Sequence, residues 1–223
     1  MKIAVLGTGM VGETIAGRLV GLGHEVKMGS RTAANEKAVA WAKKAGAKAS
    51  YGTFADAAAF GEMIFNCTSG AGAMEALKLA GEKNLGEKIL IDIANPLDFS
   101  KGMPPSLFVS NTDSLGEQIQ RTFPRTKVVK ALNTLNCYLM VNPAMLPGDH
   151  NVFLAGNDPD AKTKVIEFLS VNFGWKPVNL LDLGSITAAR ATESLLPIWL
   201  CLWSKLQNPN FNFQVVVGPA PKS

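Results

Sequence analysis

Short apolar runs of strand length alternate with longer segments of helical periodicity through the first half of the chain. In residues 10–23, which follow the first apolar run, Val11, Ile15 and Leu19 recur at helical spacing. This alternation predicts the α/β class, with a doubly wound, mostly parallel sheet and helices on both of its faces. The predicted strands are residues 2–6, 24–29, 48–51, 62–67, 87–94 and 126–132. The predicted helices are residues 10–23, 33–46, 73–80 and 114–123.

The same alternation continues less regularly after residue 150. We predict strands at 151–156, 175–182 and 211–218, and helices at 158–174 and 185–206. Ser185 is the expected N-cap of the last helix, and Pro197 is expected to kink it. The chain therefore divides into a larger unit, 1–150, and a small C-terminal extension, 151–223, whose long kinked helix packs on the larger unit.

Composition excludes several classes of function. The net charge of +4 is spread over 223 residues without a basic run, which argues against a nucleic-acid partner. The three cysteines are far apart and only two histidines occur, so we expect no disulfide framework, no metal site and a reducing, cytoplasmic location. The longest apolar stretch, 193–206, is shorter than the roughly 20 residues that span a bilayer, and the start of the chain lacks a signal-peptide pattern. We therefore expect no membrane partner.

A glycine-rich turn follows the first predicted strand and opens the first predicted helix. It consists of Gly7, Thr8, Gly9, Met10, Val11 and Gly12. In this GxGxxG spacing, Gly7 permits the tight turn, Gly9 lets a pyrophosphate approach the backbone, and Gly12 lets the helix pack on the strand. The free N–H groups of the helix N-terminus then face the phosphates. The turn is thus typical of a dinucleotide-binding Rossmann fold.

The end of the second predicted strand indicates which dinucleotide is bound. NAD-selective sites place an acidic residue there to bind the ribose 2′-hydroxyl, whereas this chain has Ser30 and Arg31. Arg31 offers a planar fork and Ser30 a hydroxyl donor to a 2′-phosphate, and we see no carboxylate that would repel it. The sequence predicts NADP(H). The alternative interpretation is that Arg31 is a solvated charge at a helix entry.

Three further strand ends supply candidate site residues, because ligands of open α/β sheets lie across the carboxyl ends of the strands. The cofactor-binding candidates are Cys67, Thr68, Ser69, Ala94, Asn95 and Pro96, and the substrate candidates are Asn133 and Thr134. Asn95 is expected to hydrogen-bond the nicotinamide carboxamide, and Pro96 to fix the exit of the chain. The alternatives are an ordinary strand-to-helix turn at 67–69 and helix capping at 133–134. No catalytic residue is assigned.

Charged residues late in the chain have a structural interpretation. Arg190 and Glu193 fall on one helix face, and we predict a structural ion pair or an interface contact between them. A role in binding substrate is the alternative interpretation. His24 is expected to be structural, and His150 has no evident partner.

Four segments together resemble one known family. "GTGMVG…MGSRT", "IDIANPL", "VVKALNT" and "SITAARATESLLPIWL" are similar to the NADPH-dependent reductases of the deazaflavin coenzyme F420, and related to the cytoplasmic domains of membrane ferric reductases. The resemblance covers nearly the whole chain. It implies a Rossmann homodimer whose C-terminal extension lies at the dimer interface. It also implies hydride exchange between NADP(H) and a small-molecule electron acceptor, a flavin or deazaflavin stacked on the nicotinamide.

Two departures from that family affect the acceptor end of the site. Ser69-Gly70 stands where such proteins tend to carry a Pro-aromatic pair, which predicts an enlarged pocket beside the nicotinamide. Asn133 precedes Thr134 where the deazaflavin enzymes have a histidine. An NADPH-dependent oxidoreductase is therefore the leading hypothesis. A non-catalytic NADP(H)-binding redox sensor or partner-binding module is the alternative, and an imine or hydroxyacid dehydrogenase is disfavoured because little chain is left for a helical second domain.

Overall fold

A computed structural model describes residues 1–219 as a single eight-stranded sheet with helices on both faces. The strands are β1 (Lys2–Leu6), β2 (Glu25–Ser30), β3 (Ala49–Thr53), β4 (Met63–Asn66), β5 (Ile89–Asp92), β6 (Leu97–Asp98), β7 (Ser106–Leu107), β8 (Lys127–Lys130), β9 (Val152–Gly156) and β10 (Leu180–Asp182). The helices are α1 (Met10–Gly21), α2 (Glu36–Ala45), α3 (Phe54–Phe60), α4 (Gly70–Ala80), α5 (Glu82–Leu85), α6 (Leu115–Thr122), α7 (Cys137–Val141), α8 (Pro159–Phe173), α9 (Ala189–Ser194) and α10 (Leu196–Leu206).

The order of the strands confirms the predicted fold class. The sheet runs β10-β9-β8-β5-β4-β1-β2-β3, and the part from β8 to β3 is parallel throughout. This is the doubly wound order of the Rossmann fold, with its switch point between β1 and β4. The sheet also continues past residue 150, because β9 pairs antiparallel with β8 and β10 pairs parallel with β9. β6 and β7 form a separate small hairpin.

Each face of the sheet carries its own apolar core. Along β1, Ile3 and Val5 belong to one buried cluster, and Ala4 and Leu6 belong to the other. The first cluster includes residues of α1, α2, α7 and α8, and the second includes residues of α3, α4 and α6. Side chains of a strand alternate between faces, so one apolar run serves both cores. The sequence-based prediction missed the short helices α3, α5 and α7, which lack a full amphipathic repeat.

The predicted long helix at 185–206 is wrong in its continuity. A single 3₁₀ turn, Ile186–Ala188, precedes α9, and α9 ends before Leu195, so that Pro197 lies in the first turn of a separate helix, α10. Proline has no N–H and clashes with the carbonyl four residues earlier, so the chain starts a new helix there instead of kinking an old one. The side chain of Ser185 does not cap the 3₁₀ turn.

The predicted strand at 211–218 is also wrong. This tail has no strand pairing and lies beside Asn151, whose backbone N–H donates to the Phe213 carbonyl over 2.8 Å. Asn212 donates from Nδ2 to the Asn151 carbonyl, and its Nδ2 is 2.9 Å from Nδ1 of His150. His150 is buried and also contacts the Pro143 carbonyl, so it does have partners. His24 contacts Asn172 at 2.7 Å.

Helices α6 and α9 are joined by two carboxylates, which corrects the predicted Arg190–Glu193 ion pair. The Arg190 guanidinium donates two hydrogen bonds, of 2.8 and 2.6 Å, to the carboxylate of Glu117 on α6. Glu193 instead accepts from the backbone N–H groups of Leu115 and Gly116 at the start of α6. Both side chains of α9 face α6, but each has a partner that the local sequence does not show.

The Glu117–Arg190 fork gives a stability prediction. The Arg190 guanidinium lowers the pKa of Glu117 below its ordinary value of 4.5. We expect Glu117→Gln to lower the free energy of unfolding by about 1–3 kcal/mol at neutral pH. Because the folded pKa is depressed, the difference from wild type should persist above pH 4.5 and shrink as the pH falls through the folded pKa. Urea unfolding across pH measures this, with exposed Glu82→Gln as control; a pH-independent difference would contradict it.

Candidate functional site

The glycine turn brings β1, α1 and the end of β4 into direct contact. Gly7 has a φ of +120°, and a Cβ there would lie 2.6 Å from the Cys67 carbonyl oxygen. A Cβ on Gly12 would lie 2.2 Å from the Gly7 carbonyl oxygen. Apart from Gly9 itself and its chain neighbours, no atom lies within 4 Å of the Cβ position of Gly9. Two glycines of the motif are therefore required by packing, and the third faces open space.

Two helices point uncapped N-termini towards this space. Gly9 is the N-cap of α1 and Ser69 is the N-cap of α4. Neither residue caps its helix through a side chain that accepts from the N–H groups of the first turn. Free N–H groups at a helix start bind anions, and the helix dipole adds to the attraction. A cleft lies there, lined by Gly7, Thr8, Gly9, Ser30, Arg31, Asn35, Phe54, Cys67, Thr68, Ser69, Gly72 and Ala76. The residues present thus fit a dinucleotide with its phosphates over Gly9.

The cleft unites part of the predicted site. It contains the candidates of the first, second and fourth strand ends, but not Met10, Val11, Gly12, Ala94, Asn95, Pro96, Asn133 or Thr134. Met10 lines a neighbouring groove with Tyr138, between α1, α2 and α7. Asn133 and Thr134 are buried, so neither offers an open surface to a second substrate. Phe54 and Ala76 of the lining were not predicted, because they come from helices α3 and α4 and not from strand ends.

Arg31 has a carboxylate neighbour that the sequence did not reveal. Its Nη2 lies 3.7 Å from Oε2 of Glu75 on α4, and both side chains are about two-thirds exposed, at 67% and 63%. The expectation that no carboxylate lies near Arg31 is therefore wrong, because Glu75 is distant in sequence and close in the fold. Ser30 is buried and donates its hydroxyl to the Thr32 carbonyl over 2.6 Å, so it stabilises the turn and is not a free donor. Asn35 caps α2.

The Arg31–Glu75 pair predicts that Glu75 weakens binding of a 2′-phosphate. An exposed ion pair contributes about 0.2–1 kcal/mol, so Glu75→Gln should tighten NADP⁺ binding by up to about fivefold and leave NAD⁺ binding unchanged. The gain should shrink at high salt because exposed charges are screened. Fluorescence titration of both dinucleotides tests this. Glu25→Gln is the matched control, since Glu25 is exposed at the opposite, amino end of β2; equal gains for NADP⁺ and NAD⁺ would refute the prediction.

Asn95 and Asn133 form a reciprocal pair at the ends of β5 and β8. Asn95 donates from Nδ2 to the Asn133 carbonyl, and Asn133 donates from Nδ2 to Oδ1 of Asn95 over 2.9 Å. Asn133 also donates to the Thr192 carbonyl of α9. Among the residues described, its buried Oδ1 has no hydrogen-bond partner. The amide of Asn95 is thus engaged with Asn133, and the two strand ends are held together.

The space beside Ser69-Gly70 is not enlarged, contrary to the expectation from the missing Pro-aromatic pair. A Cβ at Gly70 would lie 1.8 Å from the Asn95 carbonyl oxygen and 3.1 Å from Cα of Pro96. Because Gly70 has no side chain, the turn after β5 packs directly on the start of α4, and the backbone of that turn occupies the space.

A row of buried polar side chains under the cleft was missed by the sequence analysis. Asn66, Asp92 and Lys130 are register partners at the last positions of β4, β5 and β8. Asn66 donates to Asp92 over 2.7 Å, and Lys130 donates to Asp92 over 2.8 Å. The available signal was a polar residue ending each of three apolar runs. Nearby, burial raises the pKa of the Cys67 thiol, and Asp92 adds to that effect, so the thiol stays protonated.

In residues 1–219 no three His, Cys, Asp or Glu side chains come together in a way that would hold a metal ion. Over the same range, every helix is too short or too polar to cross a lipid bilayer.

Comparison with known proteins identifies the family. The family described as NADP oxidoreductase, coenzyme F420-dependent, matches residues 2–96. The F420-dependent NADP reductase of Methanothermobacter marburgensis is 31% identical over 230 residues, covering 98% of this chain and 100% of that protein. This chain belongs to the F420-dependent NADP oxidoreductases. The family resemblance is therefore confirmed. The Rossmann fold, the oxidoreductase class and NADP(H) as the cofactor are confirmed with it. A crystal structure from Arthrobacter sp. FB24, assigned as an F420-dependent NADP-reductase, is 52% identical with a TM-score of 0.91, covering 97% of this chain and 100% of that one.

More distant similarities extend beyond this family. The metalloreductase STEAP3 of Rattus norvegicus is 30% identical over 203 residues, which are 89% of this chain and 38% of that protein, so this chain spans well under half of it. An imine reductase from Myxococcus stipitatus, in complex with NADP⁺, is 17% identical with a TM-score of 0.62, covering 93% of this chain and 64% of that one. That likeness shows a shared fold.

Proposed function

We propose that this protein exchanges a hydride between NADP(H) and a deazaflavin or flavin acceptor, in the manner named for its F420-dependent relatives. The observation that carries the proposal is the cleft at the switch point of the sheet. There, two uncapped helix N-termini, the open space over Gly9 and the Arg31 guanidinium face the same volume. Anion-binding groups in this arrangement match the pyrophosphate and 2′-phosphate of NADPH.

In the proposed reaction, the residues that line the cleft bind and orient the cofactor. Bound NADPH would supply the hydride from its nicotinamide ring. Direct hydride exchange needs two rings held in contact and shielded from water, and does not require a protein acid or base. This agrees with a cleft lining that contains one cation, Arg31, and a buried Cys67 whose raised pKa keeps it uncharged. The 133–134 turn, which is buried, contributes shape and not a reactive group.

Anaerobic stopped-flow mixing tests the proposal. NADPH is mixed with the protein and coenzyme F420, FMN or FAD, and NADPH oxidation is followed at its own absorbance band. We expect oxidation with the deazaflavin, and 4-deuterated NADPH should slow it. Tight NADPH binding without oxidation by any of these acceptors would contradict the proposal and favour the redox-sensor alternative. Oxidation by FMN alone would retain the reaction class and change the acceptor.

We propose further that the protein is a homodimer that uses the outer face of α10. Ile198, Trp203 and Leu206 of α10 are 42–54% exposed, a concentration of apolar surface on one short helix. Exposed apolar patches of this kind are typical of protein interfaces. A second copy of the chain is the partner that the family resemblance implies.

Light scattering after size exclusion tests the dimer. Wild type should have twice the mass of one chain, and Trp203→Ser with Leu206→Ser should shift it to the monomer. Val171→Ser is the matched control, because Val171 is 77% exposed on α8, outside the proposed interface. A monomeric wild type would refute the dimer, and an unshifted double variant would refute this face.

We also propose that the protein acts in the reducing cytoplasm. Cys67, Cys137 and Cys201 are all free thiols, and the first two are buried. Free cysteines suit a reducing compartment. Cell fractionation with an antibody against the native protein tests this; recovery outside the cytoplasmic fraction would contradict it.

A further inference from the structure

Lys130 is a charged residue in the interior of the fold. It ends β8 with a fully buried side chain, at 0% exposure, between Asp92 at 2.8 Å and Glu193 at 2.8 Å. It also donates to the Ala94 carbonyl, in the turn that follows β5. One ammonium therefore joins two strand ends, helix α9 and the backbone of that turn.

The negative charge of the cluster is balanced by oriented donors. Glu193 accepts from the N–H groups of Leu115 at 2.8 Å and Gly116 at 3.0 Å, where the dipole of α6 favours an anion. Asp92 accepts from Asn66 and from the Ala94 N–H. Burial alone would lower the pKa of Lys130, but the two carboxylates outweigh burial and raise it, so the ammonium stays charged.

Stability alone does not explain such a cluster. Replacing a buried ion network by apolar side chains of similar volume is often neutral or stabilising, because desolvation offsets the attraction. What apolar side chains cannot provide is directional hydrogen bonding. Here Lys130 donates a hydrogen bond to the Ala94 carbonyl. Asp92 is bonded to Asn66, which accepts a 2.7 Å hydrogen bond from the hydroxyl of Thr68, a residue that lines the cleft.

The cluster also reaches the Asn95–Asn133 pair. Asn133 donates to the Thr192 carbonyl, and Thr192 directly precedes Glu193. The two residues of α9 therefore fix the turn after β5 and the turn after β8 together. In a doubly wound sheet these turns lie on the nicotinamide side of the switch point, away from the adenosine side that Arg31 serves.

We propose that Lys130 and Glu193 are positioning residues for the nicotinamide half of the cofactor. They hold the Ala94–Pro96 turn and the Asn133 turn in one arrangement, and they do so from β8 and α9 without touching the cofactor. This proposal rests on the proposed function for its cofactor. Through Glu193 and its buried contact with Lys130, helix α9 of the C-terminal region thus influences hydride transfer without lining the cleft.

The test compares a whole cofactor with its adenosine half. Calorimetry gives the affinities of NADP⁺ and of 2′,5′-ADP, which lacks the nicotinamide, for wild type, Lys130→Met and Glu193→Gln. We expect the affinity for 2′,5′-ADP to stay within about twofold of wild type. The ratio of NADP⁺ affinity to 2′,5′-ADP affinity should fall by about tenfold. Single-turnover hydride transfer should fall by about tenfold or more, with a larger deuterium effect.

Controls separate positioning from general loss of structure. Lys127→Met removes a half-buried lysine from the amino end of the same strand, paired with Asp158, and should leave both affinities unchanged. If Lys130→Met does not fold, Glu193→Gln decides, because it keeps one acceptor oxygen for Lys130 and Gly116 but removes the negative charge and the acceptor of the Leu115 N–H. Equal losses for both ligands, or unchanged NADP⁺ affinity in a folded variant, would overturn the proposal. Because binding is the first readout, absent turnover in wild type would count against the proposed function and not against this one.

Discussion

Replacing Gly12 by alanine is expected to lower both stability and cofactor binding. Its Cβ would meet the Gly7 carbonyl oxygen at 2.2 Å, and because that atom is backbone, α1 has to move away from β1. We expect a loss of about 1–3 kcal/mol in the free energy of unfolding, and a melting temperature lower by about 2–10 °C. Displacement of α1 also moves the N–H groups that bind phosphate, so NADPH affinity should fall with stability.

Gly9→Ala is the informative partner of that variant. No residue other than its chain neighbours has an atom within 4 Å of its Cβ position, and its φ is −82°, which alanine adopts without strain. Without cofactor its stability should stay within about 1 kcal/mol of wild type, the cost of a poorer N-cap. NADPH affinity should nevertheless fall by at least about tenfold, because the new methyl group takes the room of the pyrophosphate.

The contrast is measured by thermal unfolding with and without NADP⁺. Gly21→Ala lies at the end of the same helix, where the added methyl group meets no atom outside that helix within 4 Å. It serves as control and should bind normally. A cofactor stabilises only the state that binds it, so Gly9→Ala should lose the NADP⁺-induced shift while keeping its own melting temperature. A normal shift in Gly9→Ala would show that the pyrophosphate lies elsewhere.

The sequence predicted what depends on local pattern. Strand and helix periodicity and the GxGxxG turn predicted the α/β alternation, the doubly wound class and the glycine cleft, because each is indicated by residues adjacent in the chain. It failed where the outcome depends on competition within one segment. Pro197 starts a helix because the hydrogen bond that its missing N–H cannot donate falls where α9 can end. The tail at 211–218 contacts Asn151 through one backbone and two side-chain hydrogen bonds and forms no strand pairing.

The buried row of Asn66, Asp92 and Lys130 shows a second limit. Each residue ends an apolar run, but only the register of three parallel strands makes them neighbours. Register is set by packing of both sheet faces, which no single segment contains. The Glu75 carboxylate beside Arg31 was missed for the same reason, since α4 reaches Arg31 only through the order of β2, β1 and β4. Contacts between charged residues that are distant in the sequence are thus the part of the site that local sequence pattern cannot predict.

Arg31→Ala is expected to reduce the preference for NADPH over NADH. A hydrogen bond to a charged group contributes about 1.5–3 kcal/mol, so NADPH affinity should fall by about 10- to 150-fold while NADH affinity stays unchanged. Arg125→Ala is the matched control, because Arg125 is 69% exposed and pairs with an exposed glutamate, as Arg31 does, but lies beside the amino end of β8. Titration of both dinucleotides at low and high salt measures the change.

The double variant Arg31→Ala with Glu75→Gln decides how the two side chains act. If Glu75 weakens binding only by occupying Arg31, its substitution should have no effect once the guanidinium is gone, because the carboxylate then has no partner to withhold from the phosphate. If Glu75 instead repels the 2′-phosphate directly, the gain should persist in the double variant. An Arg31→Ala variant that still prefers NADPH would place the 2′-phosphate elsewhere in the cleft, where the uncapped start of α4 is the remaining anion-binding group on that side.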